Sequence, residues 1–367
     1  MKEINIAKIL VLKRKEKGIT QDELAEYIGV SKASVSKWET ANSYPDINFL
    51  PWLATYFNIS IDELIDYAPQ MEKNDIKKLY HKLAADFGKK PFDTVIKECR
   101  EIVKKYYSCF PLLLQITILL LNHHMLAKTK EEQVEILQEA IDLCNRIKSE
   151  SDDLWLVKQA NMMQASCLLI LQKPIDVIDM LGEDIHPTLN EEALLARAYQ
   201  MKGNLQKSKE VWQIGIYQHI ISAVDFMLNY LLLHSNEPEK FRIILNRLKK
   251  IADIFELDNL APNSMLQMYL VAAQAYVIQE ETEKALNMLT RYADVCDMFS
   301  KSLYLHGDSF FDCIESWFNE FDLGTEAPRD QKIVKQSMLQ AVEANPTFQS
   351  LAETPRYKSI IQKLKLI

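Results

Sequence analysis

Glycine and proline are scarce in this chain, eight and twelve in 367 residues. Hairpin turns and phosphate-cradling loops rely on those residues for backbone geometries that others reach only with strain. A chain so poor in breakers has few places to reverse tightly and favours long helices. The apolar pattern agrees, since no segment sustains the period-two alternation of a half-buried strand. The fold class that follows is all-α. The length exceeds one ordinary core and predicts two or three domains.

A net charge of −8 argues against a surface that is a nucleic-acid footprint throughout, while leaving room for a local one. The N-terminus, MKEINIAKIL, is charged and runs straight into a folding pattern, so no signal peptide is expected. No apolar run is read as reaching the roughly 18–20 residues of a membrane span. The nearest, Pro111 to Asn122, reads as a buried helix, and no membrane partner is expected. The cysteines, Cys99, Cys109, Cys144, Cys167, Cys296 and Cys313, are scattered without a C-x-x-C pair. Buried free thiols in a cytoplasmic protein are the expectation.

Residues 1–68 read as a small helical head. A first helix runs from about Ile4 to Lys17 and stops at Gly18, a natural C-terminal residue. Thr20 caps a second helix, and Glu23 completes a capping box three residues on. Leu24, Ala25 and Ile28 give that helix one apolar face, and Gly29 follows where the chain must turn sharply. Ser31 caps a third helix that runs to about Glu39 or Thr40. Two short helices joined by a tight glycine-containing turn make a helix-turn-helix. In the second of them Val35 and Trp38 face back toward the core, while Lys32, Ala33, Ser36 and Lys37 share the other side. A small, basic face suits a helix lying in the major groove.

The stretch from Lys17 to Leu64 resembles the Cro/C1 (xenobiotic-response-element) helix-turn-helix family. The resemblance is carried by Thr20-Gln21, Glu23-Leu24-Ala25, Gly29-Val30-Ser31, Val35 to Glu39, Pro45, Leu53-Ala54 and Ile59 to Leu64. It implies a five-helix, lambda-repressor-like domain on double-stranded DNA. It assigns Lys32, Ala33 and Lys37 to base reading, with Ser36 on the same face. Gln21 becomes a phosphate ligand, and Ser31, Asn42 and Tyr44 lie along the backbone path. Arg14 near the end of the first helix is a further candidate phosphate contact. Two positions depart from the pattern. Ala41 stands where the family often has glycine, so the loop after the third helix is expected to differ. Pro51 falls inside the fourth helix, which is expected to start late or bend. The head carries eight Lys and Arg against ten Asp and Glu, a net of −2. A single head should therefore bind DNA weakly, and dimerisation is the expected remedy.

Ala68-Pro69-Gln70 breaks the pattern and opens a linker placed at 69–74. The basic stretch from Lys73 to Lys105 reads as a solvated helical face, with contact to flanking phosphates as the sharper alternative. From 75 to 367 the chain reads as helices with breaks at Pro111, Pro174, Pro187, Pro238, Pro262, Pro328, Pro346 and Pro355. Three segments align, starting at Ala165, Ala196 and Ala273. Each has a large residue three positions on (Leu168, Tyr199, Tyr276), then a helix break, then a packing residue (Val177, Ser208, Ala285). The pattern resembles the tetratricopeptide helical repeat, with a period of about 34 residues. A Cro/C1 head on such an α-solenoid body resembles the peptide-sensing regulators of Gram-positive bacteria. That resemblance implies a homodimer whose body at 75–367 senses a peptide or protein effector, located on the nucleoid when DNA-bound. Asn161, Gln164, Arg197, Asn229 and Gln274 are candidate groove residues, each as readily a surface or packing residue.

Catalytic motifs are missing. There is no G-x-x-x-x-G-K-[ST], G-x-G-x-x-G, H-E-x-x-H or G-x-S-x-G. His123 and His124 are adjacent, so on a helix they diverge by about 100° and do not share a metal easily. No enzyme activity, cofactor or metal is expected. The rival reading is a helical-repeat interaction scaffold whose head serves only as a tether.

Overall fold

The structure, a computed structural model, describes residues 5–67, 70–187, 189–301 and 304–367. Ile4, Ala68 and Pro69, which the sequence places at the start of the first helix and in the linker, lie outside the described residues. The fold is all-α. Among the described residues the strand-like pairing is confined to an isolated antiparallel bridge between Tyr304 and Glu326.

The head consists of α1 (Ile6–Glu16), α2 (Gln21–Ile28), α3 (Lys32–Glu39), α4 (Leu50–Phe57) and α5 (Ile61–Leu64). Its core is small and fully apolar: Ile6, Leu10, Leu24, Ala25, Val35, Trp38, Leu53, Ala54 and Leu64 are all buried. α1 supplies Ile6 and Leu10 and α3 supplies Val35 and Trp38, spaced four and three apart, so that one stripe of each faces inward.

The body continues with α6 (Lys73–Phe87), α7 (Phe92–Lys105), α8 (Phe110–His123), α9 (Lys130–Glu150) and α10 (Leu154–Ile170). Next come α11 (Pro174–Leu181), α12 (Glu191–Met201), α13 (Leu205–Leu233), α14 (Pro238–Ile254) and α15 (Leu257–Leu260). The last are α16 (Pro262–Ile278), α17 (Thr282–Lys301), α18 (Glu315–Asn319), α19 (Gln331–Glu343) and α20 (Pro355–Lys365). Several expected proline breaks are helix starts: Pro174, Pro238, Pro262 and Pro355 each open a helix, and Pro111 sits one residue inside α8. A proline there gives up an amide that no helix would have paired.

The chain divides into two compact units. One comprises 1–76, 93–121 and 129–171, and the other 77–92, 122–128 and 172–367. The first holds the head and the α9–α10 pair, which pack on one another and in which Ile136, Ala140, Leu143, Ala160 and Cys167 are buried. The second is built around the α16–α17 hairpin, where Tyr269, Ala272, Tyr276, Leu289 and Tyr292 lie in one large apolar core. In that unit the largely non-helical segment 304–330 grips α6: Tyr80 donates its hydroxyl to the Pro328 carbonyl at 2.9 Å. It also meets α13, where the Gln213 amide donates to Asp312 Oδ1 at 2.7 Å and accepts from the Cys313 amide at 2.8 Å.

The repeat register read from the sequence is present in the backbone. Ala165, Ala196 and Ala273 are buried, as are Val177, Ser208 and Ala285 across the turns that follow. Each turn pivots on a left-handed residue at the same offset: Gln172 (φ 58°), Gly203 (φ 82°) and Glu280 (φ 60°). In the second and third turns the next amide, Asn204 or Glu281, donates back to the Tyr199 or Tyr276 carbonyl at 2.9 and 2.8 Å. That bond satisfies a carbonyl the helix end leaves open. Only one of the three turns uses the residue that reaches this conformation without strain.

Five of the six cysteines are buried, and Cys313 is half-buried. Burial pushes the thiols of Cys99, Cys144 and Cys296 up to about 12, so they stay protonated and act as small apolar side chains. α13 corrects one expectation. By length and composition alone this 29-residue helix is long and apolar enough to cross a membrane. Its polar residues are spread out, so no continuous apolar run shows in the sequence. Val211, Val224, Leu228 and Leu231 on its inner side are buried, and it packs on α12, α14 and α16.

Candidate nucleic-acid interface

Local chemistry fixes the turn between α2 and α3. Thr20 accepts the Glu23 amide at 3.2 Å, and the Glu23 carboxylate accepts the Thr20 amide at 2.7 Å, closing the expected capping box. The Thr20 amide hydrogen bond, followed by the Thr20 hydroxyl, holds the Glu23 carboxyl below the usual carboxylate range. Gly29 takes φ 80° and ends α2. Ser31 caps α3 by accepting the Ser34 amide at 3.1 Å. With both caps in place, Val35 and Trp38 are buried, and the opposite side of α3 is fixed in space.

That opposite side is the face read from the sequence. Lys32, Ala33 and Lys37 are exposed and Ser36 is half-buried. Lys32 has an ally on its own domain, because its ammonium meets Asp22 Oδ2 at 2.6 Å with both side chains largely in solvent. Asn42 and Tyr44 are exposed just after α3. The Asn42 amide donates to the Lys37 carbonyl at 2.9 Å, and its side chain donates to the Thr40 hydroxyl.

The loop does not need the expected glycine. Ala41 itself takes the left-handed conformation, φ 56°, so the chain follows a glycine-like path at a cost of about 1–2 kcal/mol. Pro51 does not interrupt α4 either. A 3-10 turn at Ile47–Phe49 leads in, and Pro51 is the second residue of the helix, where its missing amide costs no bond.

Arg14, a candidate phosphate contact, is bound within the head itself. Its guanidinium meets Glu39 at 2.6 Å (Nε to Oε1) and 2.9 Å (Nη2 to Oε2), and Nη1 donates to the Ile19 carbonyl at 2.9 Å. The Glu39 side chain is only 4% exposed and also accepts from the Gln21 amide at 2.8 Å. Burial pushes the Glu39 carboxyl up, but the hydrogen bonds from Arg14 and Gln21, with the Arg14 charge, outweigh it and hold the carboxyl below its ordinary range. The Arg14 donors are thus turned inward, tying the end of α1 to the end of α3. Gln21 has one amide hydrogen committed to Glu39, which orients its side chain at the start of α2. Sequence reasoning placed Glu39 at the end of the third helix but gave it no partner. Nothing in helical spacing links residues 14, 21 and 39; their meeting is set by how three helices cross.

The head is a helix-turn-helix domain. Residues 10–64 match the family described as Helix-turn-helix. Over 74 residues the chain is 35% identical to the HTH-type transcriptional activator BcrR of Enterococcus faecalis, covering 18% of this chain and 36% of that protein. It thus spans about a third of that relative's length. It is 28% identical over 96 residues to the uncharacterized HTH-type transcriptional regulator YobD of Bacillus subtilis, covering 25% of this chain and 86% of YobD. Among solved structures, PlcR of Bacillus thuringiensis in complex with the peptide PapR7 and DNA aligns over 81% of this chain and 97% of its own, at 15% identity and a TM-score of 0.25.

Outside the helix-turn-helix domain the candidate groove residues divide between the two units. Asn161 and Gln164 meet at Lys148, whose ammonium donates to their side-chain oxygens at 3.1 and 2.7 Å. Arg197 and Asn229 are exposed on α12 and α13, and Gln274 is half-buried on α16. A cleft of about 230 Å³ in the first unit has Val103, Ile116 and Leu120 in its floor and the ion-paired Arg100 and Glu139 at its edge. Another of about 260 Å³ in the second unit is lined by Ala193, Trp212, Gly215, Ile216 and His219. None of the five candidates lines either cleft. Among the described residues no three of His, Cys, Asp and Glu converge as a metal site.

Proposed function

We propose that this chain is a DNA-binding transcriptional regulator that works as a homodimer, with a helical-repeat body that senses a peptide or other effector. The observation that carries the reading is the outward face of α3. Lys32, Ala33 and Lys37 are exposed in the first and last turns of a helix capped by Ser31, in a domain matched over residues 10–64 to the helix-turn-helix family. The regulatory names of BcrR and YobD, which share this part of the chain, support it. Lysine ammonium groups at these positions suit the O6 and N7 acceptors of guanine, and Ala33 suits a thymine methyl. Ser36 shares that face, and Gln21, Ser31, Asn42 and Tyr44 are the residues this reading assigns to the phosphate backbone. The body from 75 onward supplies helical pairs in a repeated register, an architecture that stacks into extended binding surfaces.

The charge of the head supports dimerisation. A head with net −2 neutralises few phosphates, and two heads acting together would offset that. Their half-sites should lie about 34–36 Å apart or at a multiple of that spacing. Selection of bound sequences from a random DNA pool, with and without culture extract, tests the reading. An enriched inverted repeat is expected. Lys37→Ala should relax preference at one position by about 1–3 kcal/mol, while Gln21→Ala should weaken all sequences alike. Equal loss across sequences for Lys37→Ala would remove its role as a base reader. The exposed Lys32–Asp22 pair favours a second reading, a scaffold with a tethering head, and that reading gains if the pool yields no sequence preference.

A further inference from the structure

α13 carries an exposed apolar seam with the spacing of a coiled coil. Trp212, Ile216, Phe226, Tyr230 and Leu233 are 37%, 39%, 77%, 44% and 75% exposed. With His219 and Ala223, also exposed, they recur at alternating intervals of four and three residues along one side of the helix. An alternating 3–4 interval averages 3.5 residues, the repeat that keeps one helix in register with another. The seam from Trp212 to Leu233 is about 31 Å long at 1.5 Å per residue. Its partly exposed large side chains together offer on the order of 600 Å², near the about 800 Å² per partner of a standard interface.

The geometry points to a second copy of this chain as the occupant, with two α13 helices packed antiparallel across a two-fold axis near residue 221. The seam's own chemistry selects this arrangement. It has an exposed Lys209 one step before Trp212 and His219 near its middle, and the rest is apolar. A parallel pair would stack Lys209 on Lys209 and His219 on His219, placing like groups together. Antiparallel pairing about residue 221 sets Trp212 beside Tyr230, Ile216 beside Phe226, His219 beside Ala223, and the Lys209 stem beside Leu233. Trp212, Ile216, Phe226 and Tyr230 then each meet a large apolar or aromatic partner, Leu233 meets the Lys209 stem, and the Lys209 ammonium stays at an open end. His219 keeps its own Nδ1 contact to the Gly215 carbonyl, 2.7 Å away on the same helix, so it asks nothing of the partner there. A two-fold interface of this kind is isologous and closes at two copies, the symmetry that paired heads require on an inverted repeat.

This inference rests on the homodimer reading and adds its surface and orientation. In full-length chains carrying Cys313→Ser, Trp212→Cys and Tyr230→Cys versions are prepared separately, mixed, and oxidised. The two positions lie about 27 Å apart along one helix, so neither version should link to itself. The mixture should give a disulfide-linked dimer. Phe226→Glu should raise the dimer dissociation constant about 100-fold or more by light scattering, while Gln218→Glu, off the seam, leaves it unchanged. Retained helicity by circular dichroism shows that the variants fold. Self-linked Tyr230→Cys chains would overturn the antiparallel arrangement. A dimer that ignores Phe226→Glu and gives no mixed link would overturn the seam but leave the homodimer reading standing. A parent chain that is monomeric at all concentrations would remove both.

Discussion

Replacing Arg14 with Met should loosen the helix-turn-helix domain from within and leave its charge contacts to DNA almost unchanged. Glu39 is 4% exposed and accepts from Arg14 at 2.6 and 2.9 Å and from Gln21 at 2.8 Å. Without Arg14, a buried carboxylate keeps one neutral donor. Removing one partner of a fully buried pair costs about 3–5 kcal/mol. The Arg14 side chain is 14% exposed, so solvent repays part of that, and about 2–3 kcal/mol is expected. Amide hydrogen exchange on the full chain reads this locally, as a fall of about 30- to 150-fold in the protection of α1, α2 and α3. The acid limb follows. The folded Glu39 carboxyl lies below its ordinary value of 4.5, so the pair's contribution is complete above that pH and is lost as pH falls through the lower folded value. The Arg14→Met head should lack this acid-dependent loss. The salt dependence of DNA binding supplies the second readout: a residue bound to phosphate contributes about one unit of slope, and here the slope should not move. A loss of protection below threefold, or a slope lower by one, would refute the inward role of Arg14.

Other residues give further outcomes. Ala41→Gly should relieve left-handed strain after α3 and stabilise the head by about 0.5–1 kcal/mol, seen in the same exchange measurement. Gln172→Gly and Glu280→Gly should each raise the thermal midpoint of the body, since the equivalent turn already uses Gly203 without strain. Tyr80→Phe removes the hydroxyl donated to Pro328 and should cost about 1 kcal/mol, with faster exchange in α6.

Much of the head was legible because its determinants are local. Thr20 with Glu23, Gly29 and Ser31 act within a turn of where they sit, and each is found in its expected role. The register of Ala165, Ala196 and Ala273 was legible for a related reason: a buried small residue and a turn recur at fixed offsets. The left-handed Ala41 was not foreseen, because the sequence registers only a missing glycine, while the backbone bond from Asn42 to Lys37 dictates the same path. The Arg14–Glu39–Gln21 cluster and the α13 seam were invisible for opposite reasons. The first joins residues far apart in sequence. The second has a periodicity that looks the same whether the stripe is covered by the protein's own core or left bare.

The ion pair between Lys32 and Asp22 has a consequence for searching a genome. Off-target binding is almost entirely electrostatic, a pull of loose cations toward any phosphate. If α3 reads bases as proposed, a head that is net acidic and keeps Lys32 in the company of its own carboxylate offers little to random DNA. On that reading, base edges that draw Lys32 away from Asp22 would add to the preference for the right site. Such a protein would spend little time lodged on the wrong sites and would depend on the ratio of right to wrong rather than on grip.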